Sequence, residues 1–278
     1  MTDEALRQST AIVRAREPER YLADLLAPIP ARPHLFALHA FAIEVGEIRS
    51  KVTQPTLGEI RLKWWEQALR GDHGGNPLAA ALAATIAEFA LPLTAFDHLL
   101  QARVFDLYDD PMPSLNDLEG YAGDTEAAVM QLGALILAGG RDPGTATVAG
   151  FAGVAYAITR LLRTLPRNAA GGQSFLPADL LARHGGAEAG VTAAGSADAV
   201  RETVAELRAL ARRRLDEART AWDGAYETLL PAFLPVATTG LYLDRMDRTG
   251  FDPLRDPVDI SPFRRQWTLW RAARSGRF

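Results

Sequence analysis

No run of alternating β-branched residues bounded by tight-turn dipeptides occurs in this chain. The two-residue period of a sheet is therefore missing, and the helical period is left to carry the fold. The expected class is all-α. Apolar stripes at that period predict helices over 2–15, 19–26, 32–51, 55–70, 77–89, 93–108, 114–137, 145–165, 178–183, 197–220, 225–247 and 261–273. Turn chemistry separates them: Gly71-Asp72-His73-Gly74-Gly75-Asn76-Pro77, Gly139-Gly140-Arg141-Asp142-Pro143-Gly144, and a Gly/Ala-rich stretch over 185–197. Ser114 with Asp117 three residues on, ahead of Leu115 and Leu118, reads as a variant of the capping box.

None of these breaks is long or polar enough to be an interdomain tether, so one helical domain is expected over 1–278, with the basic aromatic helix of 261–278 as part of it. There is no cysteine, which excludes disulfides, thiolate metal sites and cysteine nucleophiles. His34, His39, His73, His98 and His184 are scattered, with no pair at a helical metal-ligand spacing. A net charge of -4 gives no general attraction to nucleic acid. The opening Met1-Thr2-Asp3-Glu4 has neither a basic leader nor an apolar h-region, so a cytoplasmic location is expected. No apolar run reaches the ~20 residues of a spanning helix; Leu78 to Leu93 comes nearest and is interrupted by Glu88 and Pro92.

Four segments occur in an order and spacing that resembles the squalene/phytoene synthase family over most of the chain. They are Leu35-Phe36-Ala37-Leu38-His39-Ala40-Phe41, then Leu57-Gly58-Glu59-Ile60-Arg61-Leu62-Lys63-Trp64-Trp65-Glu66, then Leu118-Glu119-Gly120-Tyr121, and finally Phe175-Leu176-Pro177-Ala178-Asp179-Leu180-Leu181-Ala182-Arg183-His184-Gly185. The resemblance implies the isoprenoid synthase fold, a helical bundle around a central apolar cavity. At its mouth, two facing aspartate-rich helices hold Mg²⁺ against a diphosphate.

The departures from that pattern bear on function. In Val45-Gly46-Glu47-Ile48-Arg49-Ser50, the residues Gly46, Glu47 and Ser50 stand at the three acidic positions of the first motif. At the second motif the family has asparagine, arginine-aspartate and glutamate-aspartate, whereas this chain has Arg160, Arg163-Thr164 and Arg167-Asn168. Only Arg163 matches. Glu19-Arg20-Tyr21-Leu22 replaces a serine-phenylalanine signature near the start. Mg²⁺ is a hard ion that takes oxygen ligands in near-octahedral geometry, so losing the carboxylates removes its platform. Phe41 followed by Glu44, the run Leu162-Arg163-Thr164-Leu165-Pro166 before Phe175-Leu176-Pro177, and Trp267 and Trp270 are similar to a divergent branch of the family. The mitochondrial members of that branch are respiratory complex I assembly factors.

Spacing along helices puts Glu44 with Glu47, and Arg160 with Arg163 and Arg167, into two like-charged clusters, which face each other if the family geometry holds. The arginines then form a salt-bridge plug, a site for an anion or lipid headgroup, or a solvated helix end. Pro166 is expected to stop its helix at Leu165, the alternative being a kink. Tyr121 and Glu126 fall near the cavity that the resemblance implies. Of Trp64 and Trp65, at least one belongs to the core, and Trp65 is a candidate for a groove or interface. Arg264, Arg265, Trp267, Trp270 and Arg271 belong to a terminal helix that either docks on its own domain or offers a surface to an anionic membrane or a partner.

The leading expectation is a non-catalytic assembly or binding factor without a cofactor. Its partners would be a respiratory complex subunit or assembly protein, with peripheral contact at the inner face of the cytoplasmic membrane. The alternatives are a prenyl-diphosphate transferase, which alone would use Mg²⁺, and a lipid or isoprenoid carrier.

Overall fold

A computed structural model describes residues 2–186 and 197–278; the Gly/Ala-rich break lies, over 187–196, outside them. Among the described residues every regular element is a helix. In chain order these are α1 (Asp3–Arg16), α2 (Pro18–Leu26), α3 (Arg32–Gly46), α4 (Pro55–Ala68), α5 (Pro77–Phe89), α6 (Leu93–Ala102) and α7 (Leu115–Ala122). There follow α8 (Ala128–Leu137), α9 (Ala146–Ala170), α10 (Ala178–Arg183), α11 (Ala197–Ala221), α12 (Leu230–Phe233), α13 (Thr239–Met246) and α14 (Pro262–Ser275).

The fold is organised around α3 and α9. Every residue of α3 from Leu35 to Ile43 is buried, as expected of a helix that is apolar on all sides. One apolar cluster surrounds it, with Phe41 edge-on to Trp65 of α4 and Phe96 of α6. A second cluster wraps the later half of α9 with Phe175, Leu176 and Leu207 of α11. A third joins the earlier half of α9 to Phe233 of α12, Leu269 of α14 and the terminal Phe278. Among the described residues α9 is the one helix long and apolar enough to cross a membrane, a stretch that the run-length reading passes over; 67% of its apolar window is packed inside the protein.

Proline accounts for the largest departures from the expected elements. The helix expected over 225–247 is divided by Pro231 and Pro235, which lack a backbone donor, into a 3-10 stretch, α12, a second 3-10 stretch and α13. Pro166 does the opposite of what is expected, because α9 runs through it to Ala170. Side chains brace the affected turn: the Thr164 hydroxyl donates to the Arg160 and Leu161 carbonyls at 3.1 and 3.2 Å, and Asn168 Nδ2 donates to Thr164 Oγ1 at 3.2 Å. The second motif's platform is therefore full length. The helices expected over 32–51 and 93–108 end earlier, at Gly46 and Ala102, and resume as short 3-10 turns over Arg49–Lys51 and Phe105–Leu107.

The stretch over 114–137 is helical as expected and starts from Ser114, whose Oγ accepts from Asp117 N at 3.2 Å. It contains a π turn, Gly123–Ala127, between α7 and α8. This turn lies hard against α9. A Cβ at Gly153 would sit 2.4 Å from both the Cα and Cβ of Ala127. Replacing Gly153 with Ala should therefore force α9 off the π turn and destabilise the protein by about 1–3 kcal/mol, read as a lowered urea midpoint.

Candidate functional site

In the interior of α9, charged side chains from the start of α2, the π turn and α9 close into a ring. Arg160 Nη1 contacts Glu17 Oε1 at 2.7 Å and Glu126 Oε1 at 3.0 Å. Arg20 completes the circuit, with Nη1 at 2.9 Å from Glu17 Oε2 and Nη2 bonded to Glu126 Oε2. Each element contributes for a local reason. Pro18 starts α2 at its first position, where a missing N–H costs nothing, and Glu17 and Arg20 then lie one turn apart. The π turn adds a residue to the helix and carries Glu126. The small residues of α9 admit that turn. Between the guanidinium groups stands the buried ring of Tyr156, 5.8 Å from Arg20 and 5.6 Å from Arg160.

Arg20 is 3% exposed, Glu126 9% and Glu17 11%, while Arg160, at 34%, forms the open side. Burial by itself would raise the Glu126 pKa, but Arg20, Arg160 and Arg103 outweigh it and hold the group down to about 2. Glu17 is lowered in the same way: burial opposes ionisation, and Arg160 and Arg20 outweigh it. Two carboxylates and two guanidinium groups leave the ring neutral, with its charge spent internally.

A second polar cluster adjoins it. The Tyr121 hydroxyl donates to Asp106 Oδ1 at 2.7 Å and accepts from Arg103 Nη1 at 2.6 Å, and the same nitrogen reaches Asp106 Oδ2 at 3.0 Å. Burial raises the Asp106 pKa against the pull of Arg103. Gly46, at an acidic position of the first motif, packs against this arginine: its Cβ would lie 3.5 Å from Arg103 Cζ. Arg49 spans the gap between the two motif regions. It donates to the Asp106 and Tyr108 carbonyls at 3.2 and 3.1 Å, to the Gly171 carbonyl just past α9 at 3.2 Å, and to the Asp109 carboxylate.

The expected facing of Glu44 and Glu47 with the α9 arginines does not occur. Glu44 pairs with Lys51 at 3.0 Å, and Glu47 pairs with Lys51 and with Arg16 of α1, both at 3.3 Å. The first-motif helix ends at Gly46, which leaves these carboxylates beside the lysine of the following 3-10 turn. Of the α9 trio only Arg160 enters the ring. Arg163 lies 3.5 Å over the ring of Tyr242. The Tyr242 hydroxyl donates to Glu19 Oε1 at 2.6 Å, and its pKa is pushed up to about 12, by burial first and then by Glu19, against Arg163. Arg167 is exposed and has no ion-pair partner among the described residues.

Trp65 is not at a groove or interface. It is 6% exposed and packed on Phe41, because the inward face of α4 runs through Gly58, Leu62, Trp65 and Ala68. Leu57, Ile60 and the half-buried Trp64 lie toward solvent instead. On α14, Arg265 turns inward to Glu19 at 3.6 Å, whereas Arg264, Trp267, Trp270 and Arg271 are exposed.

The residues that sequence reading left unassigned are Glu17, Arg103, Asp106 and the pairing role of Arg20. Glu17 and Arg20, one turn apart at a proline-started helix, were the readable signal. A further buried pair, His39 Nδ1 with Asp24 Oδ2 at 2.8 Å, locks α2 onto α3. The donor set does not fit Mg²⁺: the first-motif carboxylates are held by Lys51 and Arg16, and α9 presents guanidinium groups. Among the described residues no group of three or more His, Asp or Glu side chains is placed to hold a metal ion. Beside α9, the apolar gap lined by Leu118, Ile158, Leu161, Leu162, Leu165 and Leu207 closes to about 10 Å³, room for about one water.

The family model described as squalene/phytoene synthase matches residues 13–271. Mouse NADH dehydrogenase (ubiquinone) complex I, assembly factor 6, is 27% identical over 245 residues, covering 87% of this chain and 73% of that protein. Phytoene synthase 1, chloroplastic, from Arabidopsis thaliana is 26% identical over 208 residues, covering 71% and 49%. A dehydrosqualene synthase structure superposes with a TM-score of 0.78 at 18% identity, over 98% of this chain and 96% of that one, a likeness of fold.

Replacing Glu126 with Ala should cost about 3–5 kcal/mol, because it leaves buried guanidinium groups short of a carboxylate. Its pKa is lowered, so its contribution is fully present above the unfolded value of 4.5 and fades as pH falls toward about 2. Urea midpoints measured across that interval should fall with acid in the parent protein and fall less steeply in Glu126→Ala.

Proposed function

This chain belongs to the squalene/phytoene synthase family, and from that premise we propose that it is a non-catalytic assembly or binding factor acting in the biogenesis of respiratory complex I. The observation that carries the reading is the closed ring of Glu17, Arg20, Glu126 and Arg160. The Arg160 guanidinium is already neutralised by Glu17 and Glu126 and Arg163 is laid over the Tyr242 ring, so neither is free to receive a diphosphate, and Glu44 and Glu47 beside the first motif are engaged by Lys51 and Arg16. Similarity to complex I assembly factor 6 over most of the chain supports the direction of the assignment.

On this reading the family scaffold is retained as a body whose surface does the work. The chain is a pseudoenzyme, with no cofactor in its working state. Its place is the cytoplasm, peripheral at the inner face of the membrane where complex I is built, and its partner is a subunit or assembly protein of that complex. The transferase alternative is the one that would bring in Mg²⁺, and it is poorly served by a first motif whose one carboxylate, Glu47, is paired with Lys51 and Arg16. The carrier alternative gains nothing from a gap the size of one water beside α9.

Purified protein incubated with farnesyl or geranylgeranyl diphosphate and Mg²⁺ should release no pyrophosphate above a protein-free control. Deletion in the source organism should lower complex I activity and leave carotenoids and hopanoids unchanged. Robust pyrophosphate release that is abolished by Glu47→Ala would overturn the assignment.

A further inference from the structure

Packing accounts for only one side of α14. Leu269 and Ala272 are buried against the third apolar cluster, and Arg265 beside them pairs with Glu19. On the opposite side, at the spacing that keeps residues on one helical stripe, Phe263, Trp267 and Trp270 are 76%, 52% and 48% exposed. The indoles of Trp267 and Trp270 stack with centroids 5.0 Å apart, and Arg274 lies 5.6 Å over the Trp270 ring. Exposed Arg264 and Arg271 flank the stripe.

The charge of this segment runs against that of the whole molecule. From Ile260 to Phe278 there are five arginines and no acidic residue, in a chain whose net charge is -4. Burying the rings here is unnecessary for folding, since the helix is already seated through its other face. Aromatic rings prefer the boundary between headgroups and acyl chains, and long arginine side chains reach phosphates from beside them. Basic side chains near an anionic leaflet are attracted within a Debye length.

We propose that the outward face of α14, with Phe263, Trp267 and Trp270 as apolar anchors and Arg264, Arg271 and Arg274 as headgroup contacts, seats this protein on an anionic phospholipid bilayer. The contact gives structural content to the peripheral placement proposed above and rests on it, but it does not require the assembly role. Arginines without neighbouring acids favour phosphate over an unselected protein groove.

The test is co-sedimentation of the full chain with phosphatidylglycerol-containing vesicles and with pure phosphatidylcholine vesicles, alongside tryptophan emission. Binding to the anionic vesicles alone, with a blue shift that vanishes in the Trp267→Ala, Trp270→Ala double variant, is expected. Each of Arg264→Ser and Arg271→Ser should weaken binding about fivefold at low salt. All four side chains are exposed, so circular dichroism and the urea midpoint should stay unchanged. Equal binding by parent and double variant, or no binding to anionic vesicles, would overturn the proposal. So would a concentration-dependent dimer of the free protein that the double variant loses, because the stripe would then belong to a second copy. Failure here with complex I still dependent on the chain would leave the assembly role standing, and membrane binding with no complex I defect would do the reverse.

Discussion

Glu126 gives one carboxylate to two guanidinium groups, and the relative placement of α2, the π turn and α9 follows from that sharing. None of the three charged partners inside could be buried alone, because an isolated ion in a protein interior forfeits its hydration. Arg20 and Glu17 fix how α2 enters the bundle, Arg160 fixes the rotation of α9, and Glu126 fixes where the π turn stops. Such a ring is not an intrinsically stabilising device compared with an apolar core of the same volume. Its effect is selective: any arrangement of these helices that breaks the circuit leaves a charge unpaired.

The same arrangement gives a physical meaning to the altered motifs. Metal-diphosphate chemistry needs carboxylates whose charge is available to an incoming cation. Here the α9 side presents cations, of which Arg160 is met from within by Glu17 at the start of α2 and Glu126 of the π turn. The first-motif side keeps Glu44 and Glu47, but a lysine one turn on and an arginine from α1 hold them. Arg49 and Arg103 sit against the remaining motif backbone. The helices of the family scaffold are retained, while Arg160, Glu44 and Glu47 are paired within the protein.

How much of this was legible in the sequence depended on the distance over which each cause acts. The all-α class and most helix starts followed from period and punctuation, because those signals are local. Pro231 and Pro235 broke a helix as their chemistry dictates, yet Pro166 did not, since Thr164 and Asn168 brace the turn with side-chain hydrogen bonds. Arg160 and Glu126 could be nominated singly, but Glu126 lies 106 residues from Arg20 and 34 from Arg160, and no pattern in one sequence pairs groups that far apart. The two tryptophans of α4 misled for a related reason. Trp65 read as the candidate for a groove or interface, but Gly58 lets Leu107 approach this face of the helix and Trp65 is buried on it.

The π turn has a consequence of its own. An α-helix advances by roughly 100° per residue, so Gly123–Ala127 works as a one-residue phase shifter inside a continuous rod. Tyr121 before it and Met130 and Leu132 after it are all buried. Deleting a single residue there would swing one flank by more than a quarter revolution and take either the tyrosine or the apolar rungs of α8 out of register with their packing partners. Gaps and insertions should therefore be tolerated in this protein's loops long before they are tolerated within those few residues of uninterrupted helix.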